Sequence, residues 1–148
     1  MPEAPGRPPP GIYLAFDFGL RRIGVAAGQT QTGTASALET VRHGEAPDWS
    51  AISRLVSEWR PTGLVVGLPL DSEGHETDMS RAARAFGLEL ATRYARPVYH
   101  ADERLSSLAA GEAFVGMRAS GHGRRKDASK LDALAARIIL ENWLAERA

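Results

Sequence analysis

Residues 12–18, IYLAFDF, put Ile12, Leu14 and Phe16 on one side of an extended chain and Tyr13, Ala15 and Asp17 on the other, because side chains alternate along a strand. Both sides are largely apolar, so the pattern predicts a central strand covered on two faces, with an acid at its end. A turn over residues 19–22 leads into a second apolar run, 23–27, which gives an antiparallel hairpin. A third strand is expected over 35–41. Asp48 is a good helix N-cap, and behind it Ile52, Leu55, Val56 and Trp59 recur at helical spacing until residues 61–63 stop the helix. The continuous apolar run 64–68, reached by that crossover, reads as a buried strand parallel to the first. A polar loop over 71–77 follows, then a helix with Met79, Ala83, Phe86 and Leu90 on one face, then another parallel strand at 98–101. Beyond Glu103 the pattern gives a helix from Ser106 or Ser107, a Gly-rich basic loop over 116–126, and a last helix capped by Asp127 and running to about residue 144. The order β-β-β-α-β-α-β-α-α indicates an α/β domain, a mixed sheet flanked by helices.

Composition narrows this picture only a little. A length of 148 residues suits one domain, expected over residues 12–148. Residues 1–11 hold five prolines and no apolar run, so they read as a disordered tail rather than a secretory signal or a membrane span. The absence of cysteine excludes disulfides and thiolate metal sites and agrees with a reducing compartment, the cytoplasm by default. Eighteen basic residues balance eighteen acidic ones, so net charge does not announce nucleic acid and the placement of charges must decide.

Three acids stand where acids are costly. Asp17 ends the central strand, and a carboxylate there needs a partner, hydrogen bonds or a metal. On a helical wheel Leu131, Ala135, Ile138 and Ile139 form the apolar stripe of the last helix, with Ala136 and Trp143 at its edge and Lys130, Arg137 and Glu141 opposite. Asp132 falls inside that stripe. The strand at 98–101 runs into Asp102 and Glu103, on the sheet edge where Asp17 ends, and open α/β sheets carry their sites at that edge. Alternation sends Asp102 and Glu103 to opposite sides, so one of the two reaches Asp17. An all-oxygen set of this kind suits Mg²⁺ or Mn²⁺, and a pair of ions can activate water and stabilise a leaving oxygen in phosphodiester hydrolysis. The competing account makes Asp17 and Asp132 structural acids ion-paired to Arg104 or Arg22.

Four motifs in order, DFGLRRIGVA at 17–26, VVGLPL at 65–70, DERLSS at 102–107 and KLDALAA at 130–136, resemble the YqgF or RuvX family of the RNase H-like superfamily, over nearly the whole chain beyond the proline tail. The resemblance implies an RNase H-like fold with a mixed five-stranded sheet and helices on both faces, and a divalent-metal-dependent nuclease. Members are described both as Holliday junction resolvases, by kinship with RuvC, and as nucleases maturing the 5′ end of pre-16S ribosomal RNA. The family's acids fall on Asp17, Glu103 and Asp132. One departure is visible: RuvC-type resolvases carry an acid at the end of the fourth strand, whereas here Gly67 and Leu68 stand there, so Glu103 from the next strand has to take that place. The implied partners are RNA, branched DNA or both, with no membrane, and symmetric cutting of a junction would call for a homodimer.

Arg118, Arg124, Arg125, Lys126 and Lys130 gather in and after the Gly-rich loop, and Arg104 follows Glu103; these are the expected phosphate contacts, with Arg21 and Arg22 a weaker second patch. His43, His75, His100 and His122 lack ligand spacing, and of these only His75 and His122 lie in loops from which they could assist proton transfer. Two readings of other classes compete. A nucleotide-binding domain of the actin and sugar-kinase type shares the Asp-x-Gly hairpin but needs a second lobe. A non-catalytic nucleic-acid-binding module would lack the acids.

Overall fold

The computed structural model describes residues 8–103 and 125–147, the side chains of 125–129 excepted. The strands are β1 (Ile12–Phe18), β2 (Arg22–Gln29), β3 (Thr34–Arg42), β4 (Gly63–Leu68) and β5 (Val98–Asp102); the helices are α1 (Trp49–Trp59), α2 (Asp78–Tyr94) and α3 (Arg125–Glu146). They form one five-stranded sheet in the order β3-β2-β1-β4-β5. β1 pairs antiparallel with β2 and parallel with β4, and β4 pairs parallel with β5, so the hairpin and both crossovers expected from the apolar runs are present.

β1 is central because both its faces are needed. Leu14 and Phe16, with Ile23, Val25, Leu64 and Val66, pack against Ile52 and Leu55 of α1 and Phe86 and Leu90 of α2. Tyr13 and Ala15, with Val65, pack against Ile139, Leu140 and Trp143 of α3. The caps are local chemistry. Asp48 accepts from Ala51 N at 3.2 Å, and Thr77 forms a capping box with Ser80. Of the proline-rich segment, residues 1–7 lie outside the described residues; Pro9 O accepts from the Tyr13 hydroxyl at 2.6 Å and Gly11 N donates to Thr30 Oγ1 at 3.0 Å.

Two expectations for the last helix need correction. It begins at Arg125, not at an Asp127 cap, so Arg125 and Lys126 belong to the helix rather than to the loop; both are good helix formers, and an acid in the first turn suits the helix dipole. Its buried face is also rotated. Ala133, Ala136, Ile139, Leu140, Trp143 and Leu144 are buried, while Leu131, Ala135 and Ile138 are only partly so. Outside the narrow side that carries Lys130, Arg137 and Glu141 the helix is largely apolar, so its own periodicity cannot fix which side docks. The sheet decides, by glycines in β2. A side chain at Gly24 would fall on the backbone of Asp132 and Ala133, and one at Gly28 would meet Leu140 Cδ2 at 2.9 Å. At the other end of α3, Trp143 lies 5.1 Å from the ring centroids of both Tyr13 and Tyr99. The helix beginning expected near Ser106 and the loop through residue 124 lie outside the described residues.

Candidate active site

Asp17 is the third residue, after Tyr13 and Ala15, on the α3 face of β1, and its cross-strand partner is Gly24. At Gly24 the backbone of α3 lies directly against β2, at the peptide following Asp132. The helix therefore sets Asp132 beside Asp17, separated by the width of a residue without a side chain. Burial, and then the neighbouring Asp132 charge, push the Asp17 carboxyl up from 3.8 to about 7. Asp132 is partnered. Arg22, on β2 and on the same face as Gly24, donates from Nε to Asp132 Oδ2 at 2.5 Å. That pair keeps 41% and 25% of its side-chain surface exposed, so solvent screens it. The ion-paired alternative raised from the sequence is thus met for Asp132, with Arg22 as the partner.

Glu103 approaches from the opposite side. Tyr99 and Ala101 lie on the α3 face of β5, and the alternation continues to Glu103, which is 9% exposed; Asp102 falls with Val98 and His100 on the other face and is exposed. Glu103 N donates to Leu68 O at 3.2 Å, which holds the chain end against β4. Its carboxylate lies over Gly67: a Cβ built there would collide with Glu103 Oε2 and sit 2.8 Å from Ile139 Cδ1. Glu103 thus fills the volume that a side chain at the end of β4 would occupy, as the missing acid in that strand required. The two flanks of Asp17 are now defined. Across β2 a glycine admits the helix that carries Asp132, and across β4 a glycine admits the carboxylate of Glu103.

The structure brings Asp17 and Asp132 together and places Glu103 just past the end of β5, with its carboxylate over Gly67 of β4 on the other flank of Asp17. Among the described residues, no three His, Cys, Asp or Glu side chains already converge to hold an ion. Asp17 and Asp132 nevertheless fit a hard divalent cation: both donors are oxygen, and two neighbouring carboxyls with one guanidinium, held by Asp132, are short of positive charge. Of the expected phosphate contacts, Lys130 is exposed, Arg125 and Lys126 are placed on α3 by backbone only, and Arg104, Arg118 and Arg124 lie outside the described residues, as does His122. His75 is held in its own loop, 3.6 Å from Asp71 and 3.5 Å from Glu73, and His100 is packed toward Gly87 with its pKa lowered by burial. From the sequence, Gly67 was noted only as the place of a missing acid, and Gly24 was passed over. The signal for Gly24 was available, since a hairpin closing over residues 19–22 pairs Asp17 with it.

Residues 11–146 match the family described as RuvX, Holliday junction resolvase. Curated relatives carry the name "Putative pre-16S rRNA nuclease": that of Xylella fastidiosa is 50% identical over 99% of this chain and 95% of its own length, and that of Xanthomonas euvesicatoria is 47% identical over 98% and 94%. Among solved structures, Thermus thermophilus RuvC in complex with a Holliday junction substrate superposes with a TM-score of 0.52 at 18% identity, covering 93% of this chain and 95% of that one. That likeness makes the fold RNase H-like.

Proposed function

The chain belongs to the RuvX family, and from this we propose that it is a divalent-metal-dependent nuclease that hydrolyses phosphodiester bonds in 5′-end maturation of pre-16S ribosomal RNA. The observation that carries the reading is the paired placement of Asp17 and Asp132, with the Asp17 carboxyl held near 7 by burial and by its neighbour. Two adjacent acids, one of them buried, cost the fold stability, so their company indicates a function. Asp17, Asp132 and Glu103 would hold the metal, with Asp17 as the ligand common to two ions. Mg²⁺ or Mn²⁺ bound there would lower the pKa of an attacking water and offset charge on the leaving oxygen. Asp17 must give up its proton to serve. Arg22 holds Asp132 in one orientation, and Gly67 leaves room for the Glu103 carboxylate on the face it shares with Asp17.

The second reading, resolution of four-way junctions by a homodimer, is supported by the family's description. Gly67 at the end of β4 argues against a direct copy of the RuvC site. Among the described residues no helix is long and apolar enough to cross a membrane; an rRNA precursor as substrate would place the protein in the cytoplasm.

One assay series tests this: single-stranded RNA carrying a precursor 5′ end, duplex DNA and four-way-junction DNA, each with Mg²⁺, Mn²⁺ or chelator. Wild type should cut the RNA only with divalent metal, and Asp132→Asn should lose about 10²-fold or more, since groups acting as a unit fail together. Junction cutting that outpaces RNA cutting would favour the resolvase, and tight RNA binding without metal-stimulated cleavage would leave only a binding module. Gly67→Ala probes Glu103 separately. The new methyl meets the ends of two movable side chains, so the fold should survive within about 1 kcal/mol, while the displaced carboxylate lowers cleavage by about tenfold.

A further inference from the structure

The rim of the hairpin carries positive charge that the fold does not use. Arg22 and Arg42 are direct cross-strand partners, next in register beyond the Ile23–Val41 pair and two residues from the Gly24–Thr40 pair that flanks Asp17. Like charges directly opposite each other destabilise a sheet. Since Gly24 faces α3, alternation puts Arg22 and Arg42 on that same face, at the edge where the acids stand. Arg22 is taken by Asp132. Arg42 is exposed, as is Arg21 in the turn, and neither has a carboxylate or carbonyl partner for its guanidinium among the described residues. The other described arginines behave differently: Arg54, Arg81, Arg84, Arg93, Arg137 and Arg147 pair with acids, and Arg96 bonds two carbonyls. Arg60 alone shares the unpaired state, and it lies at the C-cap of α1, toward the opposite end of the sheet.

The rim is also rigid. His43 N donates to Arg21 O at 3.0 Å, the His43 ring bonds Gly19 O at 2.7 Å through Nδ1, and Asp48 N donates to Arg42 O at 3.0 Å. Two unpaired guanidiniums on a fixed backbone, beside a cluster of acids, attract a polyanion whose backbone crosses the acid edge.

We propose that Arg21 and Arg42 form a phosphate-binding rim that grips the nucleic-acid backbone beside the acid site, separate from the basic residues of 118–130. The proposal rests on the nuclease reading for its ligand. Guanidiniums contact phosphate regardless of base, so the rim positions the strand and does not read its sequence.

The test measures binding of a single-stranded RNA oligonucleotide and of a four-way DNA junction across a KCl series, in an Asp17→Asn background that leaves substrate uncut. Arg21→Gln with Arg42→Gln should weaken RNA binding about tenfold or more, and should flatten the slope of log K against log salt by about 1.4, because each single-strand contact contributes about 0.7. The lysine double variant should keep the parental slope, and Arg60→Gln should leave it unchanged. A parental slope in the glutamine double variant, or an equal flattening by Arg60→Gln, would overturn the rim. Parent protein that binds neither nucleic acid would bring down the nuclease reading itself. Unchanged melting temperatures in the exposed-arginine variants would separate lost contacts from lost fold. A greater loss on RNA than on the junction, or the reverse, would identify which backbone the rim serves.

Discussion

Asp17→Asn is expected to abolish cleavage and, in the same protein, to stabilise the metal-free fold above pH 7. The loss of activity should reach about 10³-fold or more, the scale on which removing one member of a catalytic unit acts. The gain follows from the raised carboxyl. A folded-state value near 7 against 3.8 unfolded means that the native protein holds the proton more tightly. Stability from this group is therefore complete below about pH 4 and is lost as pH rises through about 7. The asparagine removes that loss, with an expected benefit at pH 8 of about 1–3 kcal/mol after allowance for solvent and for coupling to Asp132. Melting curves of wild type and variant in chelator, at pH 5 and pH 8, check it. At pH 5, already above the unfolded value of 3.8, only about a third of the gap should be open, and at pH 8 the two should separate by about 3–8 °C, the variant higher. Coincident curves at both values would mean that Asp17 carries no strain. Divalent binding by wild type should also release a proton below pH 7, measurable from the buffer dependence of the binding enthalpy.

Gly24→Ala should be among the most damaging glycine-to-alanine changes at the described positions. It would land on the Asp132 carbonyl oxygen and 2.8 Å from Ala133 N, which are backbone atoms of a helix and cannot rotate aside. Either α3 lifts from the sheet or the Asp17–Gly24 pairing opens. Overpacking of this kind costs about 3 kcal/mol, or roughly 10 °C in melting temperature for a domain of this size. Gly44→Ala, where a methyl meets nothing within 4 Å, is the matched control and should be close to neutral. Because lifting α3 also withdraws Asp132, cleavage should fall further than the folded fraction does, and a variant that kept full specific activity would show that the acid pair is dispensable.

The strands were legible because each is a short apolar run bounded by turn residues. β1 falls at 12–18 as read, and the others gain only one to three residues at their ends. α1 and α2 were legible through Asp48 and through the spacing of Ala83, Phe86 and Leu90. The orientation of α3 was not, since apolar residues line most of it and only the positions of Gly24 and Gly28 on another strand choose the docking side. Asp17 and Asp132 declared themselves as acids in apolar company. The choice between Asp102 and Glu103 needed the strand alternation counted past its end, and the reason that Glu103 suffices needed Gly67. Arg42 carried no local signal: its meaning comes from lying opposite Arg22 in a register that passes through a bulge between Val25 and Ala26.

The ion pair between Arg22 and Asp132 spans 110 residues of sequence. Its first member leaves the ribosome early, and its second leaves in the last helix. The sheet strands can form during synthesis, as the leading parts of domains do, but the acid pair stays incomplete until α3 emerges and settles over Gly24. A chain whose α3 has not yet docked would therefore lack the partner of Asp17.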